Sequence, residues 1–399
     1  MGGGDLKIVL LANTDWYLYN FLFPLADKLR NAGHEVVLVS PPGKYSGLLV
    51  RMGFHHVPLT FSRSGVNPFS EIMVIRRLHA IYRREQPDLL HHFTIKCVLY
   101  GSIAARLASL SSVVNTVPGR GHVFVDKGWR PRILRPLVKM MYRVALRTTH
   151  IIFMNPNDRD LFLNNGLAYP ESIHVICGSG VDTSRYSPCG RASNTDEVQV
   201  LFAGRLLWSK GVGEYVEAAR LAQESMPGLR FVAAGEPDPG NPACISDDVL
   251  RSWKKEGIVQ FIGQCDDMRS LIANTDIAVL PSYGEGLARF LLEAASSGLP
   301  LVASNVSGCR EIVRDGVNGY LVPVREAPSL AHAILKLARN RELRVAMGAE
   351  SRRMVCAEFS KEEILRQIMD VYFLTLKDEK RSEFESGVDP KIEAALDLN

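Results

Sequence analysis

The 399-residue chain is too long for one ordinary domain and sits comfortably at two, each able to bury its own core. With 46% hydrophobic and 23% charged residues it has the composition of a globular protein, which excludes a disordered or fibrous chain. A formal net charge of +4 is too mild to argue for nucleic acid as a partner, so none is expected.

The chain enters its first apolar run at Lys7-Ile8-Val9-Leu10-Leu11, almost directly after Met-Gly-Gly-Gly, which reads as a strand and not as a secretory leader. Leu6 stands where a myristoylation signal needs Ser or Thr. No run approaches the roughly 18 apolar residues of a membrane-spanning helix, so any membrane contact is expected to be peripheral. The seven cysteines are scattered and form no C-x-x-C pair, which predicts neither a disulfide framework nor a zinc site, and fits a reducing, cytoplasmic compartment.

Short apolar runs alternate with helical patterns along most of the length, the mark of β-α units on parallel sheets. Strands are predicted at 7–12, 35–40, 88–91, 113–117 and 150–154, then at 198–203, 230–235, 259–263, 276–280 and 300–304. Apolar residues at three-and-four spacing predict helices at 21–32, 71–84, 212–223 and 330–338. The Gly- and Ser-rich stretch from Gly178 to Pro188 is the most linker-like interior segment. It predicts a first doubly wound α/β domain over 1–188 and a second over 189–360, with a further helix at 361–376 and a polar, loosely held tail at 377–399. Ligands of open parallel sheets bind beyond the carboxyl ends of the strands, so the residues just after each strand carry the chemistry.

After the strand at 198–203 come Arg205 and Lys210 on one loop with Gly204 and Gly211 around them. Arginine grips two oxygens and lysine supplies a compact charge, so the pair suits a diphosphate; an exposed basic loop would look the same. After the strand at 276–280 come Glu285 and Glu293, eight apart around a helix start whose Gly286 and Leu287 amides are expected to be free for an anion. One carboxylate suits the hydroxyls of a transferred sugar and the other those of a ribose. A capping acid and a solvated helix acid are the bland alternative.

This constellation resembles the retaining glycosyltransferases of family 4. Their paired-glutamate motif matches Glu285 and Glu293, and their phosphate-binding pair matches Arg205 and Lys210. The likeness extends to Gly178–Asp182 and to Ser304–Val313; the family usually has proline where Ala288 stands. It implies the GT-B fold of two Rossmann-like domains, with the 361–376 helix crossing back to the first. It also implies retention of configuration, no cofactor and no metal, and a nucleoside-diphosphate sugar as donor, with UDP preferred. The first half resembles a narrower set that builds lipid-linked oligosaccharides and surface polysaccharides in bacteria, through stretches at 13–21, 92–102, 115–124 and 153–158. That implies a lipid-linked or saccharide acceptor. A nucleotide-sugar epimerase of the same fold, or a non-catalytic nucleotide-sugar-binding protein, is the alternative reading. A dinucleotide oxidoreductase is disfavoured because Asn13-Thr14-Asp15-Trp16 follows the first strand where G-x-G-x-x-G is needed.

On the acceptor side the candidates are Asn13, His92 and His122. His122 follows a Gly-rich turn and could assist catalysis or orient the acceptor hydroxyl, although Leu and Tyr are usual in relatives at positions 120 and 122; a histidine satisfied by local backbone is equally open. Asp15 is either a cleft residue or a cap, and Asp158-Arg159-Asp160, despite its D-x-D spacing, reads as helix-capping acids. Residues 127–147 carry seven cations and no acid among apolar residues, which predicts contact with an anionic membrane surface.

Overall fold

The computed structural model describes residues 6–61, 68–117, 129–188 and 197–385. They form two compact α/β units, the first comprising the described residues within 6–179 together with 365–385 and the second those within 180–364.

The first unit is built on a seven-stranded parallel sheet of β1 (Lys7–Leu11), β2 (Glu35–Ser40), β3 (His55–Pro58), β4 (Leu89–Phe93), β5 (Val113–Val117), β6 (His150–Phe153) and β7 (Ile173–Val175). Its order is β3-β2-β1-β4-β5-β6-β7. The second carries a six-stranded parallel sheet of β8 (Val198–Ala203), β9 (Leu229–Ala234), β10 (Val259–Gly263), β11 (Ile277–Leu280), β12 (Leu301–Ser304) and β13 (Gly319–Val322), in the order β10-β9-β8-β11-β12-β13. The central strands are buried on both faces, which is why they read as unbroken apolar runs. The three strands not predicted, β3, β7 and β13, all lie at sheet edges, where half-exposed sequences such as His55-His56-Val57-Pro58 carry little apolar signal.

The segment after β1 is a composite. Thr14 caps the turn Asp15–Tyr17 by accepting from the Tyr17 amide at 3.1 Å, a π-helical turn follows at Leu18–Leu22, and an α-helix runs over Phe23–Asn31. Pro24 has no N–H, and the Asn20 side chain donates to the Trp16 carbonyl at 2.9 Å, so the regular ladder is interrupted there.

The boundary between the units falls at Ser179–Gly180, before the Pro188–Cys189 boundary expected from composition. Hydrogen bonding explains the shift. The Val181 amide donates to the Phe359 carbonyl at 2.9 Å, and Arg352 donates to the carbonyls of Thr183, Tyr186 and Ser296 at 2.9, 2.9 and 2.7 Å. One guanidinium thus fastens the linker-like stretch to the second unit.

The helix Lys361–Thr375 lies close to its predicted bounds, and from Leu365 onward it belongs to the first unit. There Tyr372, fully buried, meets His91 of β4 at 2.7 Å. The expectation of a loose tail from 377 is corrected for its first part: Asp378–Glu385 is a helix docked on the first unit. Phe384 is buried and stacks on His34 with ring centroids 5.2 Å apart, Lys380 pairs with Asp88, and Arg381 donates to the Phe373 carbonyl at 3.1 Å. Residues 386–399 lie outside the described residues.

Candidate active site

The site is built from the loops that leave β8 and β11. Beyond β8 the chain turns through Trp208–Lys210 and reaches Gly211 at φ +74°, which starts the helix Val212–Ser225. A Cβ at Gly211 would lie 2.0 Å from the Pro281 carbonyl oxygen, so only glycine lets this loop sit against the one after β11. The Tyr283 amide donates to the Ser209 carbonyl at 2.9 Å, and the buried Ser282 hydroxyl donates to the same oxygen at 3.2 Å. That register places the Lys210 ammonium 2.6 and 2.7 Å from the two oxygens of Glu285. With side chains 21% and 10% exposed, the pair is largely withdrawn from water yet open on one side.

The other two charged candidates each have their own partner. Arg205, 60% exposed, pairs with Asp238 at 2.5 Å. An exposed pair of this kind contributes about 0–1 kcal/mol, so the guanidinium is cheaply released to an anion. Glu293, in the helix Arg289–Ser296, is buried and accepts from Arg289 Nε at 2.9 Å, one turn earlier. Tyr186 lies beside this acid; burial first, and the Glu293 charge second, push its phenol up to about 12. The helix itself begins at Arg289, so Gly286 and Leu287 are corrected from first-turn to loop residues preceding it. Among the described residues neither of their amides donates to a backbone carbonyl.

Supporting residues not singled out from sequence surround this pair. The Tyr283 hydroxyl donates to Glu214 at 2.7 Å while the Arg325 guanidinium covers its ring at 4.7 Å. Arg289 is the one whose spacing, four residues before Glu293, could have announced it. Asp238, Tyr283 and Tyr186 are distant in sequence from the groups they meet.

In the first unit the structure separates the acceptor candidates. Asn13 follows β1 and is half-buried. Asp15 is a cap, but for another segment: its carboxylate accepts from the Tyr45 and Ser46 amides at 2.7 and 2.9 Å. His92 is corrected from acceptor contact to core residue. It is fully buried, and its ring nitrogens meet the Tyr82 hydroxyl at 3.0 Å and the Asn115 side-chain oxygen at 2.9 Å. Burial lowers its pKa to about 4, and the neighbouring His91 is lowered by the same cause, so both stay neutral. His122 lies outside the described residues. Asp158 sits in the first turn of the helix Pro156–Asn164, where its amide donates to the Asn155 cap at 2.9 Å. No helix among the described residues is long and apolar enough to cross a membrane.

Two parallel Rossmann-like sheets, the second with a cation–carboxylate pair at its carboxyl edge, are the architecture of the GT-B class. Residues 7–155 match the model described as glycosyl transferase 4-like, and residues 190–354 match that of glycosyl transferases group 1. The chain belongs to this glycosyltransferase family. It is 30% identical over 373 residues to the N-acetyl-alpha-D-glucosaminyl L-malate synthase of Bacillus anthracis, covering 89% of this chain and 93% of that one. To the N,N'-diacetylbacillosaminyl-diphospho-undecaprenol alpha-1,3-N-acetylgalactosaminyltransferase of Campylobacter jejuni it is 26% identical, over 94% of this chain and 100% of that one. The fold is shared with Anabaena Alr3699/HepE in complex with UDP and glucose, at TM-score 0.71 and 20% identity, covering 92% of this chain and 98% of that one. This membership favours a transferase over the epimerase considered above.

Proposed function

We propose that the protein is a retaining glycosyltransferase that moves a hexosyl or N-acetylhexosaminyl group from a UDP-sugar to a lipid-linked saccharide. The observation that carries this reading is the Lys210–Glu285 pair, a cation and a sugar-reading carboxylate held together at the carboxyl edge of β8 and β11. The C. jejuni relative is named for an alpha-1,3 transfer onto a diphospho-undecaprenol-linked sugar, and the Anabaena neighbour holds UDP and glucose, which supports the donor and acceptor classes.

In this reading Lys210 and Arg205 face the diphosphate, with the Gly286 and Leu287 amides as further donors. Glu285 accepts from the hydroxyls of the transferred sugar, and Glu293 from those of the ribose. The bond from the anomeric carbon to the diphosphate oxygen breaks as the acceptor hydroxyl attacks from the same face, and its proton passes to the departing phosphate. The charge that grows on that phosphate is met by the two cations, so the step needs no metal. Asn13 and His122 are the residues assigned to the acceptor.

Contact with an anionic, cytoplasmic membrane face is assigned to 127–147, where the helix Trp129–Leu146 contains no acid and exposes Met140 and Val144. Lys139 and Arg143 of this helix bond to the Asn165–Gly166 turn. Co-sedimentation with anionic vesicles is expected to weaken when Arg132, Arg135 and Arg147 become Glu; unchanged binding rejects the membrane contact. For the reaction, thermal-shift screening against UDP- and GDP-sugars, followed by NMR of the anomeric proton of the product, is the test. Stabilisation by a UDP-sugar and an alpha-linked product from an alpha-linked donor are expected; an inverted product overturns the mechanism.

A further inference from the structure

Glu285 stands in no regular element. It lies in the loop between β11 and the helix Arg289–Ser296, and two bonds to a second loop locate it. The Glu285 amide donates to the Ser307 carbonyl at 3.2 Å, and the Ala288 amide to the Gly308 carbonyl at 3.1 Å. Gly308, at φ +85°, approaches so closely that a Cβ there would stand 2.6 Å from the Glu285 Cβ. The Glu285 main chain, from which its carboxylate projects to Lys210, is therefore located by the turn at 305–310.

One side chain holds that turn. Glu311 accepts from the Gly308 amide at 2.5 Å through one oxygen and from the Ser307 hydroxyl at 3.4 Å through the other. The Gly308 N–H and the Ser307 C=O belong to the same planar peptide group. A carboxylate gripping the N–H end thus orients the carbonyl end that receives the Glu285 amide. It also polarises that carbonyl, since hydrogen bonds in series strengthen one another. The charges lie close together: the buried Cys309 thiol between these loops is pushed up by burial first and then by Glu285, with Lys210 opposing and Glu311 adding.

We propose that Glu311 is a positioning residue for Glu285, acting through the Ser307–Gly308 peptide. It rests on the donor-site reading above, in which Glu285 reads the transferred sugar. Glu311 accordingly governs recognition of the sugar and leaves recognition of the nucleotide to Arg205, Lys210 and Glu293.

The test compares the affinities of UDP and of UDP-N-acetylgalactosamine by calorimetry in full-length Glu311→Ala and Glu311→Gln proteins, with hydrogen exchange across 282–290. In Glu311→Ala a charge-assisted bond is lost, so the nucleotide-sugar affinity falls by about tenfold or more while UDP binding stays within about twofold. Exchange at the Glu285 amide rises. Glu311→Gln keeps an oxygen for the Gly308 amide and recovers most of the sugar-dependent affinity. Should Glu311→Ala prove unstable, Glu311→Asp, which is one methylene short of that amide, is expected to show the same split, and hydrogen exchange reads the coupling even without ligand. Parallel loss of both affinities, or no change in either affinity or in exchange, overturns the positioning role. A Glu285→Ala protein that still transfers sugar sinks the donor-site reading and this role with it; an inactive Glu285→Ala beside an unaltered Glu311→Ala sinks only the role.

Discussion

The carboxyl edges of the two sheets are made from the same kind of element and end in opposite chemistry. In the second unit the loops after β8 and β11 bring a full cation against a full carboxylate, Lys210 on Glu285, with Arg205 paired to the exposed Asp238. In the first unit the polar residues at the ends of β4 and β5 are neutral and sealed: His91 meets Thr116 and Tyr372 at 2.7 Å each, and His92 meets Tyr82 and Asn115. A charge pair open to solvent on one side can exchange its partner for a ligand. A fully buried neutral network cannot, because opening it strands donors and acceptors at about 1–3 kcal/mol each. The lesson is that a histidine at the end of a parallel strand is no more than a candidate until its ring nitrogens are accounted for.

Breaking the contrast at its stronger end should have the largest effect. Lys210→Ala removes the charge proposed to meet the leaving diphosphate, and turnover is expected to fall by roughly 10²–10³-fold with the fold intact, measured as transfer or as donor hydrolysis. Near-normal turnover would leave the charged edge without a catalytic role. At the sealed edge the effect should appear in stability instead. His92→Ala cuts two buried hydrogen bonds and leaves a void, so a loss of about 2–4 kcal/mol by denaturant titration is expected, with UDP binding to the folded fraction unchanged.

The titration of His92 sharpens the comparison further. Its folded pKa is depressed from 6.5 to about 4, so the unfolded chain binds the proton first. Its contribution is present in full above pH 6.5 and is lost progressively down to about pH 4, amounting to roughly 3 kcal/mol. A His92→Gln protein should therefore show a flatter acid limb than the wild type in pH-dependent unfolding; an identical limb would assign that loss elsewhere. The smallest effect is expected for Asp238→Asn. Removing an exposed partner should alter stability by less than about 1 kcal/mol, while freeing Arg205 and tightening UDP binding slightly at low salt.

Much of this was legible in the residues themselves. The alternation of apolar runs and helical spacing located the central strands of both sheets, because a strand buried on both faces must be apolar throughout. Arg205, Lys210, Glu285 and Glu293 stood out because strand, loop and helix start follow one another locally. Three of the four edge strands did not: β3, β7 and β13 are partly exposed and carry little apolar signal, whereas β10 was read at its bounds. Neither did the helix Asp378–Glu385, whose polar composition hides the buried Phe384 that docks it.

What the sequence alone determined, then, is the kind of unit and the chemistry available at each strand end, both consequences of periodicities spanning a few residues. Partnership was decided only by the tertiary structure: Asp238 for Arg205, the Ser307–Gly308 peptide beneath Glu285, Tyr82 and Asn115 around His92. Such pairs join positions tens of residues apart. Whether a polar group serves a ligand or the core depends on which neighbours packing brings within about 3 Å of it, and no local pattern records that.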